Sequence, residues 1–205
     1  MIPKVIVQFW NTPDIPDDVA ELMETWKQHN PDFRHLVFDY EQAASFIGVK
    51  YGKKIQDLFL SAALPAMQSD IFRVAYCLAK GGFYIDAGTR CKAALDPHLP
   101  ANGELLLMRK WHGGVWNGMI GAEADQADLK LIWDKIIHNL QARETQDVWQ
   151  VTGPKSFNQV VNHSKDGSKI RVVEQKDIAF FDIASDLKYK ANHWSEVQKT
   201  QSIFN

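Results

Sequence analysis

Pro65-Ala66-Met67-Gln68-Ser69-Asp70-Ile71-Phe72-Arg73-Val74-Ala75-Tyr76-Cys77-Leu78-Ala79-Lys80-Gly81-Gly82-Phe83-Tyr84-Ile85-Asp86 is the stretch on which the fold turns. A proline suits the first position of a helix, because its fixed φ is already helical and its missing N–H has no partner there anyway. Met67, Ile71, Val74, Ala75 and Leu78 then recur at helical spacing as a buried stripe, and the Gly81-Gly82 pair ends it. A short strand, Phe83 to Asp86, follows, with Phe83 and Ile85 on one face and Tyr84 and Asp86 on the other. Asp70 and Arg73 lie three residues apart on one flank of the helix. Such a pair on a surface is worth only ~0–1 kcal/mol. The acidic residue at the carboxyl end of the next strand is what makes the pair a candidate site.

Outward from this segment, Val5 to Trp10 reads as a buried strand bounded by Pro3 and Pro13. Val19, Leu22, Met23 and Trp26 mark a helix stopped by Asn30-Pro31, and Phe33 to Asp39 reads as a second strand. Short helices are expected over 42–47 and 55–60. Strands are expected over 105–108 and 118–122, separated by a loop over 110–116. Leu129, Ile132, Trp133, Ile136, Ile137 and Leu140 give the clearest amphipathic helix. A shorter helix follows Thr152-Gly153-Pro154, and strands are expected near 170–173 and 178–181. Alternating strands and helices point to an α/β sheet covered on both faces, with ligands at the carboxyl ends of its strands.

The 205 residues fit a single domain. Twenty-three Lys and Arg against 25 Asp and Glu give a formal charge of −2, without a run of like charges, so nucleic acid is not favoured as a partner. No apolar run approaches the ~20 residues of a transmembrane segment, and the start lacks the pattern of a secretory signal, so a cytoplasmic protein is expected. Cys77 and Cys91, the two cysteines, read as buried thiols. Phosphate-cradling glycine motifs and the G-x-S-x-G of a serine hydrolase are absent.

Ser69-Asp70-Ile71-Phe72-Arg73, Leu78, Gly81-Gly82, Tyr84 and Asp86 together resemble the sugar-nucleotide-binding region of glycosyltransferase family 32. That family's relatives include Golgi mannosyltransferases, bacterial capsule transferases and clostridial glucosylating toxins. The resemblance extends to Ile2-Pro3-Lys4-Val5-Ile6 with Gln8 and Trp10, to 61–66, to Thr152-Gly153-Pro154, and to His193-Trp194-Ser195. It implies a GT-A-like, Rossmann-like mixed sheet flanked by helices in a single domain over 1–205. It also implies a retaining transferase that takes a nucleotide-diphosphate sugar. By the same resemblance Gln8, Phe9 and Trp10 lie at the nucleotide, with Trp10 stacking on the base. Asp70 holds ribose or sugar hydroxyls, Arg73 reaches the sugar and diphosphate, and Tyr84 belongs to the same donor site. Asn117 faces the donor sugar, and His193 is close to the diphosphate.

One position departs from the family. Where the family has Asp-x-Asp, the last carboxylate binding Mn²⁺ or Mg²⁺, this chain reads Asp86-Ala87-Gly88. Asp86 and His193 are left as candidate metal ligands, a poorer set that implies a weakened but retained metal dependence. Arg90 and Lys92 share a face with Asp86 if the segment stays extended, and then stand in for the cation at the diphosphate; otherwise they are solvated strand-end charges. Asn117 reads either as part of a turn with Gly118 or as a donor-facing amide. Trp111, Trp116 and Trp149 read either as core or as platforms for an acceptor. The acceptor is left open among a glycan, a protein side chain, a small molecule and a modified nucleobase. Loss of the second carboxylate leaves an alternative: a catalytically silent nucleotide-sugar-binding or regulatory protein on the same fold.

Overall fold

The computed structural model describes residues 1–99, 103–164, 167–184 and 194–205. The elements run β1 (Val5–Phe9), α1 (Asp17–His29), β2 (Arg34–Phe38), α2 (Tyr40–Tyr51), α3 (Lys53–Leu60), α4 (Pro65–Lys80), β3 (Gly82–Ile85) and β4 (Thr89–Cys91). They continue with β5 (Leu105–Arg109), β6 (Val115–Ala122), α5 (Ala127–Ala142), α6 (Val148–Val151), α7 (Pro154–Asn162), β7 (Ile170–Glu174), β8 (Phe181–Ile183) and α8 (Trp194–Val197).

Six strands form a mixed sheet in the order β2-β1-β3-β6-β5-β7, in which β6 runs antiparallel to both its neighbours and the other pairings are parallel. Residues alternate across the sheet as strand geometry requires. Val7, Tyr84, Leu105, Leu107 and Ile120 face one core, shared with α2, α3, α4, α5 and α7. Ile6, Phe83, Ile85, Leu106 and Met119 face the other, closed by Trp26 of α1 and by Cys91, Phe180 and Phe181 around the two-stranded β4–β8 ladder. The chain leaves β1 for β2 on one side and returns to β3 on the other. The carboxyl ends of β1 and β3 therefore bracket a topological switch point, where α/β sheets bind ligands.

Helix α4 is buried almost all round, wedged between the sheet and its neighbouring helices. Its exit needs glycine twice over. Gly81 and Gly82 have φ of +67° and +106°, and a methyl on either would press against backbone, at Ala122 and Ala124 or at Val5.

Three expectations are corrected. Residues 115–116 belong to β6 rather than to a loop, because Lys110 and Gly114 close a tight hairpin (Lys110 N–H to Gly114 O, 2.8 Å). The strand expected near 178–181 is displaced to Phe181–Ile183, following a 3₁₀ turn at Gln175–Asp177, because its partner is β4. The segment after Asp86 does not stay extended: Ala87 and Gly88 turn before β4 begins.

Candidate active site

The site is built under the carboxyl end of β3. Arg73 comes up from α4 with only 4% of its surface exposed and forms the hub. Its Nη2 lies 3.2 Å from Asp70 Oδ1 and 3.2 Å from Asp86 Oδ1, joining the two carboxylates through one cation. Nη1 donates to the Asn117 carbonyl at 2.7 Å and Nε to the Ser69 carbonyl at 3.1 Å. The guanidinium also lies over the Tyr84 ring, 4.7 Å from its centre. A hydroxyl chain closes the circuit: Nη2 donates to Ser69 Oγ (2.8 Å), Ser69 meets Tyr84 OH (2.7 Å), and Tyr84 OH donates to Asp86 Oδ1 (3.0 Å).

Asp70 is buried as well, with 7% of its surface exposed. Its Oδ1 also accepts from Asn117 Nδ2 at 2.8 Å and its Oδ2 from Thr152 Oγ1 at 3.0 Å. Burial pushes its pKa up to about 6, with Arg73 pulling the other way and Asp86 adding to the rise. Burial likewise opposes the charge on Arg73, but Asp86, Tyr84 and Asp70 outweigh it and hold the guanidinium above its ordinary value. Burial raises the Tyr84 phenol well above its ordinary value, so it is a neutral donor to Asp86.

Asp86 is the member of this network that reaches the cleft, with its side chain 30% exposed. Its backbone is pinned on three sides. Asp86 N–H donates to Gly118 O (2.8 Å), and Asp86 O accepts from Thr89 Oγ1 (2.6 Å) and, more loosely, from Gln8 Nε2 (3.5 Å). Thr89 is fixed in turn by Trp26 Nε1 of α1 (3.1 Å). With Oδ1 held by Arg73 and Tyr84, Oδ2 is left facing Gly118 and the Trp116 indole, and a methyl group at Gly118 would collide with both.

A bulge supplies this geometry. The β5–β6 register jumps from Leu107↔Ile120 to Met108↔Trp116, so Asn117, Gly118 and Met119 leave the β5 ladder opposite β3. Asn117 is thus a buried mid-strand residue, and the turn reading is corrected.

The structure sorts the remaining expected residues. Gln8 and Phe9 are buried: Gln8 Oε1 meets His35 Nε2 at 2.7 Å, and Phe9 packs on Phe72. Trp10, directly after β1, is half-buried beside Val19, Leu22, Met23 and Ala87. Arg73 and Asp70 lie beneath Asp86, their donors and acceptors engaged by protein groups, rather than in the open cleft. Arg90 and Lys92 are corrected: the 87–88 turn sends Arg90 to the exposed side of β4, where Lys92 pairs with Asp182 of β8. His193 lies outside the described residues. Trp116 stacks on Phe181, with ring planes 25° apart, while Trp111 at the hairpin tip is 85% exposed and Trp149 is 41% exposed. Cys77 and Cys91 are free and buried, as expected. Sequence reasoning passed over Ser69 and Thr89 as site residues, and over Gly118 as more than Asn117's neighbour. It read Thr152 only as part of a helix start.

Among the described residues, no group of three or more His, Cys, Asp or Glu is placed to hold a metal ion. The Asp86 side chain offers one carboxylate oxygen, which falls well short of the oxygen-rich shell of Mg²⁺ or a similar cation. The described donor set therefore does not fit a protein-held divalent ion.

The mixed sheet, with an acidic residue at the carboxyl end of β3, has the GT-A fold of known glycosyltransferase structures. Two solved structures superpose on it: the PaToxG glycosyltransferase (TM-score 0.59, 18% identity, covering 81% of this chain and 71% of that one) and the UDP-bound glycosyltransferase domain of the YGT toxin (0.59, 11%, 84% and 79%). Residues 16–104 match the sequence model described as glycosyltransferase sugar-binding region containing DXD motif. The chain is 32% identical over 124 residues to mannosyl phosphorylinositol ceramide synthase SUR1 of Saccharomyces cerevisiae, an alignment that covers 60% of this chain and 31% of that one. It is 24% identical over 209 residues to inositol phosphoceramide mannosyltransferase 2 of Schizosaccharomyces pombe, covering 95% and 58%. The chain thus spans between about a third and three-fifths of the length of these two relatives. Among the described residues no helix is long and apolar enough to cross a membrane.

Proposed function

We propose that residues 1–205 form one glycosyltransferase domain that moves a sugar from a nucleotide-diphosphate donor to an acceptor hydroxyl with retention of configuration. The Asp70–Arg73–Asp86 network at the switch point, within the segment that matches the sugar-binding family model, carries this reading. The donor lies across the carboxyl ends of β1 and β3, with its base against Trp10 and its sugar hydroxyls on Asp86 Oδ2. Arg73, Asp70, Tyr84 and Asn117 act as positioning residues: they hold the Asp86 carboxylate in place and aimed at the cleft. Charge arranged before the donor arrives costs no reorganisation during the reaction.

The acceptor oxygen forms its bond to the anomeric carbon as the bond to the diphosphate oxygen breaks, the electron pair leaving with the phosphate. The acceptor proton passes to that departing phosphate oxygen, and attack comes on the face it vacates. Among the described residues no side chain is assigned as a covalent nucleophile, which fits this front-face route. The relatives named mannosyltransferases make mannose the first donor sugar to try, and the UDP-bound toxin domain keeps uridine nucleotides on the panel. A cytoplasmic setting is part of the proposal and is supported by the two free buried thiols.

The test is nucleotide release on incubation with GDP-mannose, UDP-glucose, UDP-galactose and UDP-N-acetylglucosamine, with the product anomer read by NMR. Release from at least one donor, with the anomeric configuration kept, is expected. Binding without release in long incubations makes the protein a silent sugar-nucleotide binder, and neither binding nor release overturns the proposal.

A further inference from the structure

Trp26 and Thr89 are fully buried, so water cannot take the place of either partner in the bonds between them. An indole N–H can only donate. Trp26 Nε1 lies 3.1 Å from Thr89 Oγ1 and 3.2 Å from Thr89 O, and the hydroxyl therefore accepts from it. The one hydrogen of that hydroxyl is thereby sent to Asp86 O, at 2.6 Å. On the other side of the same Cα, Asp86 N–H is tied to Gly118 O at 2.8 Å. With both peptide planes held, the two soft backbone dihedrals of Asp86 are set, and with them the direction in which its side chain leaves the backbone.

Trp26 reaches Asp86 by a second route. Its ring packs on Phe181 with centres 5.8 Å apart, and Phe181 stacks on Trp116 at 6.0 Å. The edge of Trp116 in turn meets Asp86 Oδ2 over Gly118. One residue of α1 thus bears on both the main-chain carbonyl and the free carboxylate oxygen of Asp86. The rest of α1 fixes the chain that follows: Thr25 Oγ1 accepts from Cys91 N–H at 2.9 Å, and Asn30 Oδ1 accepts from Leu95 N–H at 2.7 Å. Trp26 lies in the core on the opposite face of the sheet from Tyr84, so Asp86 is gripped from both faces.

We propose that Trp26 and Thr89 are positioning residues for the transfer, aiming Asp86 at the donor sugar through its backbone while Arg73 and Tyr84 hold its carboxylate. This rests on the reading that the crevice takes a nucleotide sugar whose hydroxyls meet Asp86 Oδ2. Misplacement of a site group by about 1 Å can cost on the order of 10²-fold in rate, so a bond that orients the whole residue matters beyond its own strength.

The test is calorimetry with Thr89→Val, Thr89→Ser and Trp26→Phe, using the nucleotide sugar that the wild type binds and the matching nucleoside diphosphate. Thr89→Val keeps the side-chain shape and removes the hydroxyl. It should melt cooperatively, bind the nucleotide sugar roughly tenfold more weakly, and bind the diphosphate as the wild type does. Thr89→Ser should recover most of the lost affinity. Trp26→Phe, which keeps a ring but has no donor, should show the Thr89→Val pattern at a smaller size. A merely structural role would lower the melting temperature or weaken both ligands alike. Wild-type affinity for the nucleotide sugar in Thr89→Val, or an equal loss for both ligands, overturns the assignment while leaving the transferase reading in place. If Thr89→Val does not fold, Trp26→Phe decides by the same two criteria. If the wild type binds neither ligand, the transferase reading falls and the assignment falls with it.

Discussion

The charges under β3 and the charges along β4 come from neighbouring stretches of chain and have opposite fates. Under β3, Asp70, Arg73 and Asp86 are drawn together with all three guanidinium nitrogens bonded to protein groups, and Asp70 and Arg73 are largely sealed from water. Along β4, four residues further on, Arg90 and Lys92 stand in solvent, and Lys92 finds its partner across a two-stranded ladder. A buried charge is costly and persists only when its neighbours over-determine it, whereas an exposed one contributes little to stability. The first region is therefore where substitutions should be expensive, and the second is where they should be cheap.

The sharpest way to break the contrast is Arg73→Met, which strands two carboxylates beneath the sheet. A loss of about 3–5 kcal/mol in urea unfolding is expected. Adding Asp70→Asn should recover part of it, because the two side chains are coupled and their effects cannot add.

Next in size is a pH effect. Burial lets native Asp70 hold its proton up to about pH 6, above its ordinary value of 3.8. The folded state thus binds the proton more tightly than the unfolded chain. The residue's contribution to stability is full below the unfolded value and is lost as pH rises through about 6. Relative to Asp70→Asn, the wild type should lose on the order of 2–3 kcal/mol between about pH 4 and pH 7, read from urea midpoints at the two ends.

Gly118→Ala tests the bulge. Its methyl group runs into Asp86 Oδ2 and Trp116, so a loss of about 1–3 kcal/mol is expected, with a larger fractional loss of turnover than of stability. At the small end, Arg90→Ala should shift unfolding by less than about 0.5 kcal/mol and Lys92→Ala by about 0–1 kcal/mol, and both should leave turnover near wild type. A large loss of activity in either would put the cation back on β4 and erase the contrast.

The same contrast explains what could be read from sequence. Helix α4 and its exit into β3 carry their code locally: Pro65 starts the helix, an apolar stripe buries it, and Gly81 and Gly82 end it where no side chain fits. The alternation that puts Tyr84 and Asp86 on one face of β3 is equally local. The partners that complete the site are not. Thr152 reaches Asp70 across 82 residues, and the Asn117 amide reaches it across 47. Neither position carries a periodic signal. The bulge over 117–119 depends on how β5 and β3 compete for β6, which a single strand's residues do not encode. The role of Arg90 and Lys92 hung on whether the backbone stays extended through Ala87-Gly88, and the turn there selects the solvated alternative.

The central claim is that Asp86 faces the donor and that the buried residues exist to hold it there. Asp86→Asn tests this most directly, because the amide keeps the size of the carboxylate and an oxygen to accept from Arg73 and Tyr84. Calorimetric titration with the nucleotide sugar that the wild type turns over should show affinity lost or severely reduced in a protein that still melts cooperatively near the wild-type temperature. Wild-type affinity in that folded variant would contradict the account.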